Sequence, residues 1–291
     1  MTLLKRVADE ELATLSGKTI IITGGASGIG KAAAKIAYDA GANIAIADLR
    51  DDIGEELAKE FPARTIYVKA DVSSWPDVLN LFKKTWHHFG AIDVVLSNAG
   101  THAFESLQEE ALEENGDPTA PSVKSLEVNL NSAVYCTKAA VHFFKKQPHK
   151  KCQLVFTSSA AGVSETPPLY IYGAGKAGVI GLMRGLRLGL LAPNMTVNVI
   201  APWMTSTPFI PDDIREKWGD LPMNDADGVA KALLLPAVRP DLNGKTLWVA
   251  DNETVEIEDT IRESQPQWLG SRWSALADEG ALRLGFTAQK K

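Results

Sequence analysis

The sequence predicts an α/β protein built on one doubly wound, parallel sheet. Short apolar runs alternate with helix-length segments along the chain, and this alternation implies parallel strands joined by right-handed crossovers. The runs do not alternate strictly between apolar and polar residues, which is typical of strands covered on both faces. Because no linker separates these segments, we expect a single domain.

Seven runs rich in Ile and Val are the predicted strands. They are Thr19–Thr23, Asn43–Ala47, Thr65–Lys69, Ile92–Ser97, Gln153–Thr157, Thr196–Ile200 and Thr246–Ala250. The predicted helices are Gly28–Ala40, Asp51–Glu60, Trp75–Phe89, Ser122–Lys146, Tyr170–Leu191 and Asp227–Val238. Two stretches remain irregular. The acidic stretch 102–120 is expected to be a solvated surface loop, and the proline-marked, apolar stretch 202–224 is expected to be a lid or binding loop at the carboxyl edge of the sheet.

Composition argues against several classes of function. The 30 Lys and Arg residues face 36 Asp and Glu, and a net charge of −6 does not suit a nucleic-acid-binding surface. Cys136 and Cys152 cannot form a disulfide scaffold, and the five histidines lack metal-ligand spacing, so we expect no metal. With no apolar run of the ~18 residues that a membrane span requires, and no leader read in 1–18, we expect a cytoplasmic protein.

A glycine-rich turn, TGGASGIG at residues 23–30, joins the first predicted strand to the first predicted helix. Gly24, Gly28 and Gly30 allow the backbone to turn tightly and to approach a pyrophosphate, and the N-terminus of the helix offers free N–H groups to its phosphates. A glycine-rich string alone is weak evidence, since any turn collects glycine. The strand before it and the helix after it favour a Rossmann-like dinucleotide site.

The second predicted strand is followed by Asp48, eighteen positions after Gly30. A carboxylate at this offset binds the hydroxyls of the adenosine ribose and repels a 2′-phosphate, which favours NAD over NADP. Arg50 lies two residues further on and is the one cation available for a phosphate, because Ser27 in the turn is not basic. Asp48 is also placed to cap the next helix, a role compatible with ribose binding.

A hydroxyl, a phenol and an ammonium occur at suggestive spacing. Ser159 follows the fifth predicted strand, Tyr172 comes thirteen residues later, and Lys176 lies four beyond that, on the same helix face. A lysine at ~4–5 Å is expected to lower the pKa of the phenol toward 7–8, where it can exchange protons near neutral pH. Considered alone, the pair is equally compatible with a surface tyrosine beside a solvated lysine.

Together these motifs resemble the short-chain dehydrogenase/reductase family, over about residues 16–250. The resemblance also rests on Asp71-Val72, Asn98-Ala99-Gly100 and Asn129. It implies that Tyr172 is the acid/base, that Lys176 lowers its pKa and holds the nicotinamide ribose, that Ser159 orients the substrate oxygen, and that Asn129 supports a water chain. Ser158 is set aside because its spacing to the tyrosine is fourteen. The implied cofactor-binding residues are Gly24, Ser27, Gly28, Ile29, Gly30, Asp48, Leu49, Asp71, Val72, Asn98, Ala99, Gly100, Tyr172, Lys176, Pro202, Thr205 and Thr207.

The chain departs from the family after the sixth predicted strand, where Pro202-Trp203 replaces the usual Pro-Gly. Trp203 adds a large apolar body at the nicotinamide end. This loop and the tail around residues 268–270 resemble fungal dehydrogenases that act on polyketide secondary alcohols. The residues expected to meet substrate are His102, Trp203, Met204, Phe209 and Trp218.

The sequence thus predicts an NAD-dependent oxidoreductase that interconverts a hydrophobic secondary alcohol and its ketone in natural-product metabolism. The alternatives are an NADPH-dependent ketoreductase, a non-redox reaction at the same site, and a nucleotide-binding scaffold without turnover. We expect an N-terminal extension (1–16), a dehydrogenase domain (17–252) and a C-terminal extension (253–291). The resemblance implies a homodimer or homotetramer formed through the predicted helices 122–146 and 170–191.

Overall fold

The part of the chain that the structure describes contains nine strands, and they form one sheet. In this computed structural model, residues 2–102, 107–108, 111–188 and 192–285 are described. The strands are β1 (Thr2–Leu4), β2 (Thr19–Thr23), β3 (Asn43–Asp48), β4 (Thr65–Lys69), β5 (Val94–Ser97), β6 (Cys152–Thr157), β7 (Met195–Pro202), β8 (Thr246–Ala250) and β9 (Glu253–Glu256). Their order across the sheet is β1-β9-β8-β7-β6-β5-β2-β3-β4.

Helices connect the strands and flank the sheet. They are α1 (Asp9–Leu12), α2 (Gly28–Asp39), α3 (Asp51–Glu60), α4 (Trp75–Phe89), α5 (Lys124–Leu126), α6 (Ser132–Phe144), α7 (Tyr170–Leu186), α8 (Asp212–Trp218), α9 (Ala226–Val238), α10 (Glu258–Glu263), α11 (Gln265–Leu269) and α12 (Ser271–Arg283). Short 3₁₀ turns occupy Ala13–Leu15 and Ala160–Gly162, and a π-helical segment, Glu127–Asn131, joins α5 to α6.

The predicted doubly wound fold is confirmed. Strands β2 to β8 coincide with the seven predicted runs and pair in parallel. The chain runs outward from β2 through β3 to β4, and then resumes at β5 on the other side of β2. This reversal leaves a crevice beyond the carboxyl ends of β2 and β5, which is where open α/β sheets bind ligands.

Two further strands extend the predicted sheet. Strand β9 pairs antiparallel with β8, and β1 pairs antiparallel with β9, so the start of the chain lies at one edge. The β8–β9 turn contains Asp251 and Asn252, which have positive φ values of 50° and 58°. Asp and Asn tolerate this conformation, which suits a tight hairpin. Strand β1 is too short, and β9 is both short and polar, so neither has the sequence signature of a buried parallel strand.

Each face of the sheet has its own hydrophobic core. Helices α4, α6 and α7 cover one face, where Phe82, Phe144 and Met183 are fully buried. Helices α2 and α9 cover the other face with Ala and Leu side chains. Burial of apolar side chains against the sheet is the main term that holds these helices in place. The helices in turn fix the loops at the carboxyl edge of the sheet.

Two helix predictions differ from the structure. The predicted helix 122–146 begins at Lys124 and contains the π-helical segment, which reorients the chain around Asn129. The predicted helix from Tyr170 ends at Leu186, and its last three predicted residues, 189–191, lie outside the described residues. In the described parts of the chain, no helix combines the length and apolarity needed to cross a bilayer.

Candidate active site

A cavity of about 600 Å³ lies in the crevice at the carboxyl edge of the sheet. All but one of the predicted cofactor residues line it: Gly24, Ser27, Gly28, Ile29, Asp48, Leu49, Asp71, Val72, Asn98, Ala99, Gly100, Tyr172, Lys176, Pro202, Thr205 and Thr207. The exception is Gly30. Residues that sequence reasoning did not select also line it, among them Arg50, Lys124, Val128, Pro208 and Ile210. One long cavity therefore joins the glycine-rich turn to the serine, tyrosine and lysine.

The glycine-rich turn is shaped by close packing. Gly24 has φ +63°, and a Cβ there would lie 2.9 Å from the Cα of Ala99. A Cβ on Gly30 would lie 2.1 Å from the carbonyl oxygen of Gly24. Gly30 thus lets α2 pack against the turn, whereas Gly28 and Ser27 face the cavity. Within the described structure no side chain caps the N-terminus of α2, and its N–H groups suit a pyrophosphate.

Asp48 and Arg50 form the end of the cavity beyond the turn. The Asp48 carboxylate accepts hydrogen bonds from the backbone N–H groups of Ala26 (3.1 Å) and Leu49 (2.9 Å). The Arg50 guanidinium contacts this carboxylate through Nε at 3.4 Å, and its Nη2 donates to Ser27 Oγ at 2.7 Å. An acid and a cation therefore share the position expected for the adenosine ribose.

The next part of the cavity is bounded by the chain that follows β4. Val72 is almost fully buried, and the Asp71 carboxylate accepts hydrogen bonds from the backbone N–H (2.9 Å) and hydroxyl (2.6 Å) of Ser73. The Asp71 backbone N–H donates to the Asp77 carboxylate of α4 at 3.0 Å. These bonds hold a partly apolar surface against which an adenine ring can pack.

Asn98 ties together three strand ends beneath the cavity. Its Nδ2 donates to the carbonyl of Thr23 at 3.2 Å, and its Oδ1 accepts from the hydroxyl of Thr157 at 3.1 Å. Its backbone N–H and that of Ala99 both donate to Thr23 Oγ1. The carboxyl ends of β2, β5 and β6 are therefore held in one fixed arrangement.

Tyr172 and Lys176 lie one turn apart on α7 and are both buried. Lys176 Nζ donates to the carbonyl of Thr157 at 2.9 Å and lies 5.6 Å from the centroid of the Tyr172 ring. Tyr172 forms a side-chain hydrogen bond with Ser159. The three predicted residues are therefore brought together at one end of the cavity.

Ser158 is separated from this trio by its own hydrogen bond. Its hydroxyl is buried and donates to the main-chain carbonyl of Lys176 at 2.7 Å. A Cβ on Gly162 would lie 2.7 Å from the carbonyl carbon of Lys176, so α7 packs tightly against the 3₁₀ turn. The hydroxyl of Ser158 helps to fix α7, and Ser159 is the serine that contacts the Tyr172 phenol.

Burial shifts the pKa values of Tyr172 and Lys176 in opposite directions. Burial raises the pKa of Tyr172, and the hydrogen bond with Ser159 opposes that rise. Burial also lowers the pKa of Lys176 to about 8. The direction of this shift for Tyr172 is opposite to the sequence-based expectation, because burial removes the phenolate from water while the Lys176 ammonium donates to the Thr157 carbonyl.

Asn129 lies in the π-helical segment and does not line the cavity. Its Nδ2 donates to the carbonyl of Thr101 at 2.6 Å and to Ser125 Oγ at 3.1 Å, and its Oδ1 accepts from the N–H of Thr101 at 3.0 Å. A Cβ on Gly100 would lie 2.9 Å from this Oδ1 and 3.1 Å from Lys176 Nζ. Asn129 thus holds the chain beside the lysine.

The loop 202–224 forms the remaining wall of the cavity. Its base is closed by the buried side chain of Asn224, whose Nδ2 donates to Thr205 Oγ1 (3.3 Å) and to the carbonyl of Val249 (3.0 Å). Its backbone also bonds Met204 and Ser206. These bonds fix Thr205 at the mouth of the site.

The predicted substrate residues divide into two groups. Trp203 and Phe209 line the cavity, whereas His102, Met204 and Trp218 do not. The Trp218 ring packs edge to face against the Trp203 ring, with the ring centroids 4.9 Å apart, and supports it. His102 contacts Phe209.

The described residues contain neither a cluster of metal ligands nor an exposed thiol. No three His, Cys, Asp or Glu side chains there are grouped to hold a metal ion. Cys136 and Cys152 are free and buried, and burial raises the pKa of each thiol to about 11. Neither is a nucleophile at neutral pH.

Comparison with known proteins is consistent with this geometry. The family described as "short chain dehydrogenase" matches residues 18–217. The short-chain dehydrogenase/reductase prx4 of Penicillium roqueforti is 32% identical over 287 residues, covering 91% of this chain and 84% of that protein. The 5′-hydroxyaverantin dehydrogenase of Dothistroma septosporum is 29% identical, covering 90% and 92%. The structure of 3-ketoacyl-(acyl-carrier-protein) reductase from Brucella melitensis complexed with NADH has a TM-score of 0.71 at 24% identity, covering 81% and 98%, and shows the shared fold.

Proposed function

The chain belongs to the short-chain dehydrogenase/reductase family of oxidoreductases, and from this premise we propose that it transfers a hydride between NAD(H) and a hydrophobic secondary alcohol or its ketone. One observation carries the proposal: a single cavity has Asp48 at one end and the Ser159, Tyr172 and Lys176 side chains at the other. The working direction is oxidation of the alcohol. Binding both reactants in one cleft supplies proximity and orientation.

Each residue of the trio has a distinct role in this proposal. The nicotinamide, when bound, supplies the hydride acceptor. Ser159 holds the alcohol oxygen beside Tyr172, and the Tyr172 phenolate takes the hydroxyl proton. Lys176, 5.6 Å from the ring, offsets part of the burial that raises the pKa of this phenol, and it would bind the ribose near Gly100. Asn129 keeps the chain at Thr101 in place and supports proton exchange with solvent.

The glycine-rich turn and Asp48 support NAD as the cofactor. The pyrophosphate would lie on the N-terminus of α2, next to Ser27, Gly28 and Ile29, with Gly30 allowing the helix to pack. Asp48 and Leu49 would bind the adenosine ribose, Asp71 and Val72 the adenine, and Asn98, Ala99 and Gly100 the middle of the cofactor. Pro202, Thr205 and Thr207 would surround the carboxamide, and Tyr172 and Lys176 the nicotinamide ribose.

The cavity wall beside Tyr172 supports a bulky apolar substrate. Val128, Trp203, Pro208, Phe209 and Ile210 line this part of the cavity and expose apolar surface to it. Burial of such surface is favourable by about 25 cal/mol per Å². The likeness to a fungal 5′-hydroxyaverantin dehydrogenase supports a role in natural-product metabolism.

A paired titration of NAD and NADP by calorimetry, followed by a screen of secondary alcohols with NADH absorbance, tests the proposal. We expect tighter binding of NAD and turnover that Tyr172→Phe abolishes. Binding of neither nucleotide would overturn the cofactor assignment. Binding without turnover of any alcohol or ketone would favour a nucleotide-binding scaffold.

An NADPH-dependent ketoreductase is the second candidate, and the position of Arg50 favours it. Its guanidinium bridges Asp48 and Ser27 at the ribose end of the cavity, where a 2′-phosphate would lie. Tighter binding of NADP in the same titration would show that Arg50 outweighs Asp48. Screening would then begin with ketones.

We propose that residues 17–252 form the dehydrogenase domain. We also propose that the protein is located in the cytoplasm, where free thiols such as its two buried cysteines persist.

Assembly as a homodimer or homotetramer is supported by an exposed stripe of small and apolar residues along the catalytic helix and its end. The stripe comprises Ala174, Ala177, Gly181, Gly185 and Leu188. Sedimentation at micromolar concentration tests assembly, and a monomer would contradict it. Fractionation of the source cells tests location.

A further inference from the structure

The cavity wall from Thr207 to Ile210 is held by side chains from outside it. His102 Nε2 lies 2.7 Å from the carbonyl oxygen of Phe209. Because a carbonyl oxygen only accepts, Nε2 carries the proton of this hydrogen bond. From the other side, Arg215 of α8 donates to the carbonyls of Thr207 and Ile210. Three of the four carbonyls of the segment are therefore fixed, and the wall is preformed.

His102 also contacts the side chain of Phe209. The two rings meet edge to face, with centroids 4.5 Å apart and an interplanar angle of 86°. Phe209 in turn lies 6.2 Å from the Tyr172 ring and lines the cavity, while His102 does not line it. Among the described contacts, it is Phe209 that connects the His102 side chain to the reacting end of the site.

We propose that His102 is a positioning residue that holds Phe209 over Tyr172, and that this pair selects alcohols with a flat apolar group next to the carbinol carbon. The inference rests on the proposed dehydrogenase function. A ring held at this place presents a rigid flat surface, and a planar substituent packs more closely on such a surface than a branched one. Preorganisation of this kind raises selectivity because ordering of the wall does not reduce the free energy of substrate binding.

The first test is kinetic. Initial rates are measured for 1-phenylethanol and for 3,3-dimethyl-2-butanol, a secondary alcohol with a branched group, in the wild type and in His102→Ala, Phe209→Ala and the double variant. We expect His102→Ala to lower the aryl-to-branched ratio of kcat/KM about tenfold, the effect of roughly one hydrogen bond to a fixed wall. In the Phe209→Ala background, removal of His102 should change that ratio less than twofold. His102→Gln, which restores a donor, should recover part of it.

His88→Ala is the matched control. His88 and Phe89 form a ring pair with nearly the same geometry, at 4.5 Å and 83°, and neither residue lines the cavity. This variant should leave the selectivity ratio unchanged. An unchanged ratio in His102→Ala would overturn the proposal. So would a loss of selectivity equally large in the Phe209→Ala background, since His102 would then act on the substrate directly.

The second test needs no turnover. Hydrogen–deuterium exchange in the peptide that contains residues 207–211 should accelerate in His102→Ala and stay unchanged in His88→Ala. Unchanged exchange in His102→Ala would show that the histidine does not hold the wall. If the wild type turns over no secondary alcohol or ketone with either cofactor, the proposed function fails, and the exchange result still decides whether His102 positions Phe209.

Discussion

Gly30→Ala is expected to damage both the stability of the fold and the cofactor site. The added Cβ would lie 2.1 Å from the Gly24 carbonyl oxygen and 2.9 Å from Asn98 Nδ2, where ordinary contacts are 3.4–4 Å. The turn and α2 must therefore separate by about 1 Å, and the hydrogen bonds from Asn98 Nδ2 to the turn weaken. Overpacking typically costs about 1–3 kcal/mol and a weakened buried hydrogen bond about 1 kcal/mol.

Alanine also favours the helix by up to about 1 kcal/mol, so the net loss should be about 1–3 kcal/mol, or a Tm lower by roughly 2–5 °C. Thermal unfolding measures this, and calorimetry should show NAD affinity reduced at least tenfold, since the same shift moves the phosphate-binding turn. Gly280→Ala in α12 is the control, because its Cβ meets nothing within 4 Å; it should be neutral or slightly stabilising. A Gly30→Ala variant with the wild-type Tm and NAD affinity would refute this account of the turn.

Two other predictions concern charge. Lys176→Met should lower kcat at least ~100-fold, while exposed Lys84→Met should not. Because burial lowers the pKa of Lys176 to about 8 from 10.5, the folded protein holds fewer protons than the unfolded chain between these values. The free energy of unfolding should therefore increase from pH 8 to 10.5 in the wild type relative to Lys176→Met. Denaturant unfolding measures this, and the same pH dependence in both proteins would contradict it. Asp48→Ala should shift the NAD-to-NADP affinity ratio toward NADP roughly 10- to 100-fold, and Arg50→Ala should weaken NADP more than NAD; calorimetry with ratios unchanged in both would exclude a role for this pair.

The central sheet and the grouping of Ser159, Tyr172 and Lys176 are predictable because their signals are local. Strands covered on both faces must be apolar throughout, and the spacing of Tyr172 and Lys176 fixes a shared helix face whatever surrounds it. The glycine-rich turn is equally local, because its conformation needs residues without a Cβ. For these parts, sequence reasoning needed no knowledge of contacts between distant segments.

The features that escaped prediction all depend on distant contacts. Strand β9 forms because a two-residue turn returns the chain along β8, and β1 forms only because β9 is present. The reach of Arg50 back to Ser27 depends on how β3 packs beside β2. The direction of the Tyr172 pKa follows from the dryness of the assembled site, which a pairwise estimate of charge attraction omits.

The hydrogen bonds of Asn224 hold the two ends of the loop 202–224, whereas the residues between these ends form the cavity wall. The position of the loop and the shape of the wall are therefore set by different residues. The start and the end of this loop lie side by side because the buried amide of Asn224 donates hydrogen bonds to Thr205 and to the carbonyl of Val249. Between Thr207, which lines the cavity, and Asn224 the chain can therefore change length and composition while the two ends of the loop keep their register. Loops from relatives with other substrates could be exchanged here as cassettes, provided that the asparagine is kept and the incoming segment supplies its own partners for Trp203.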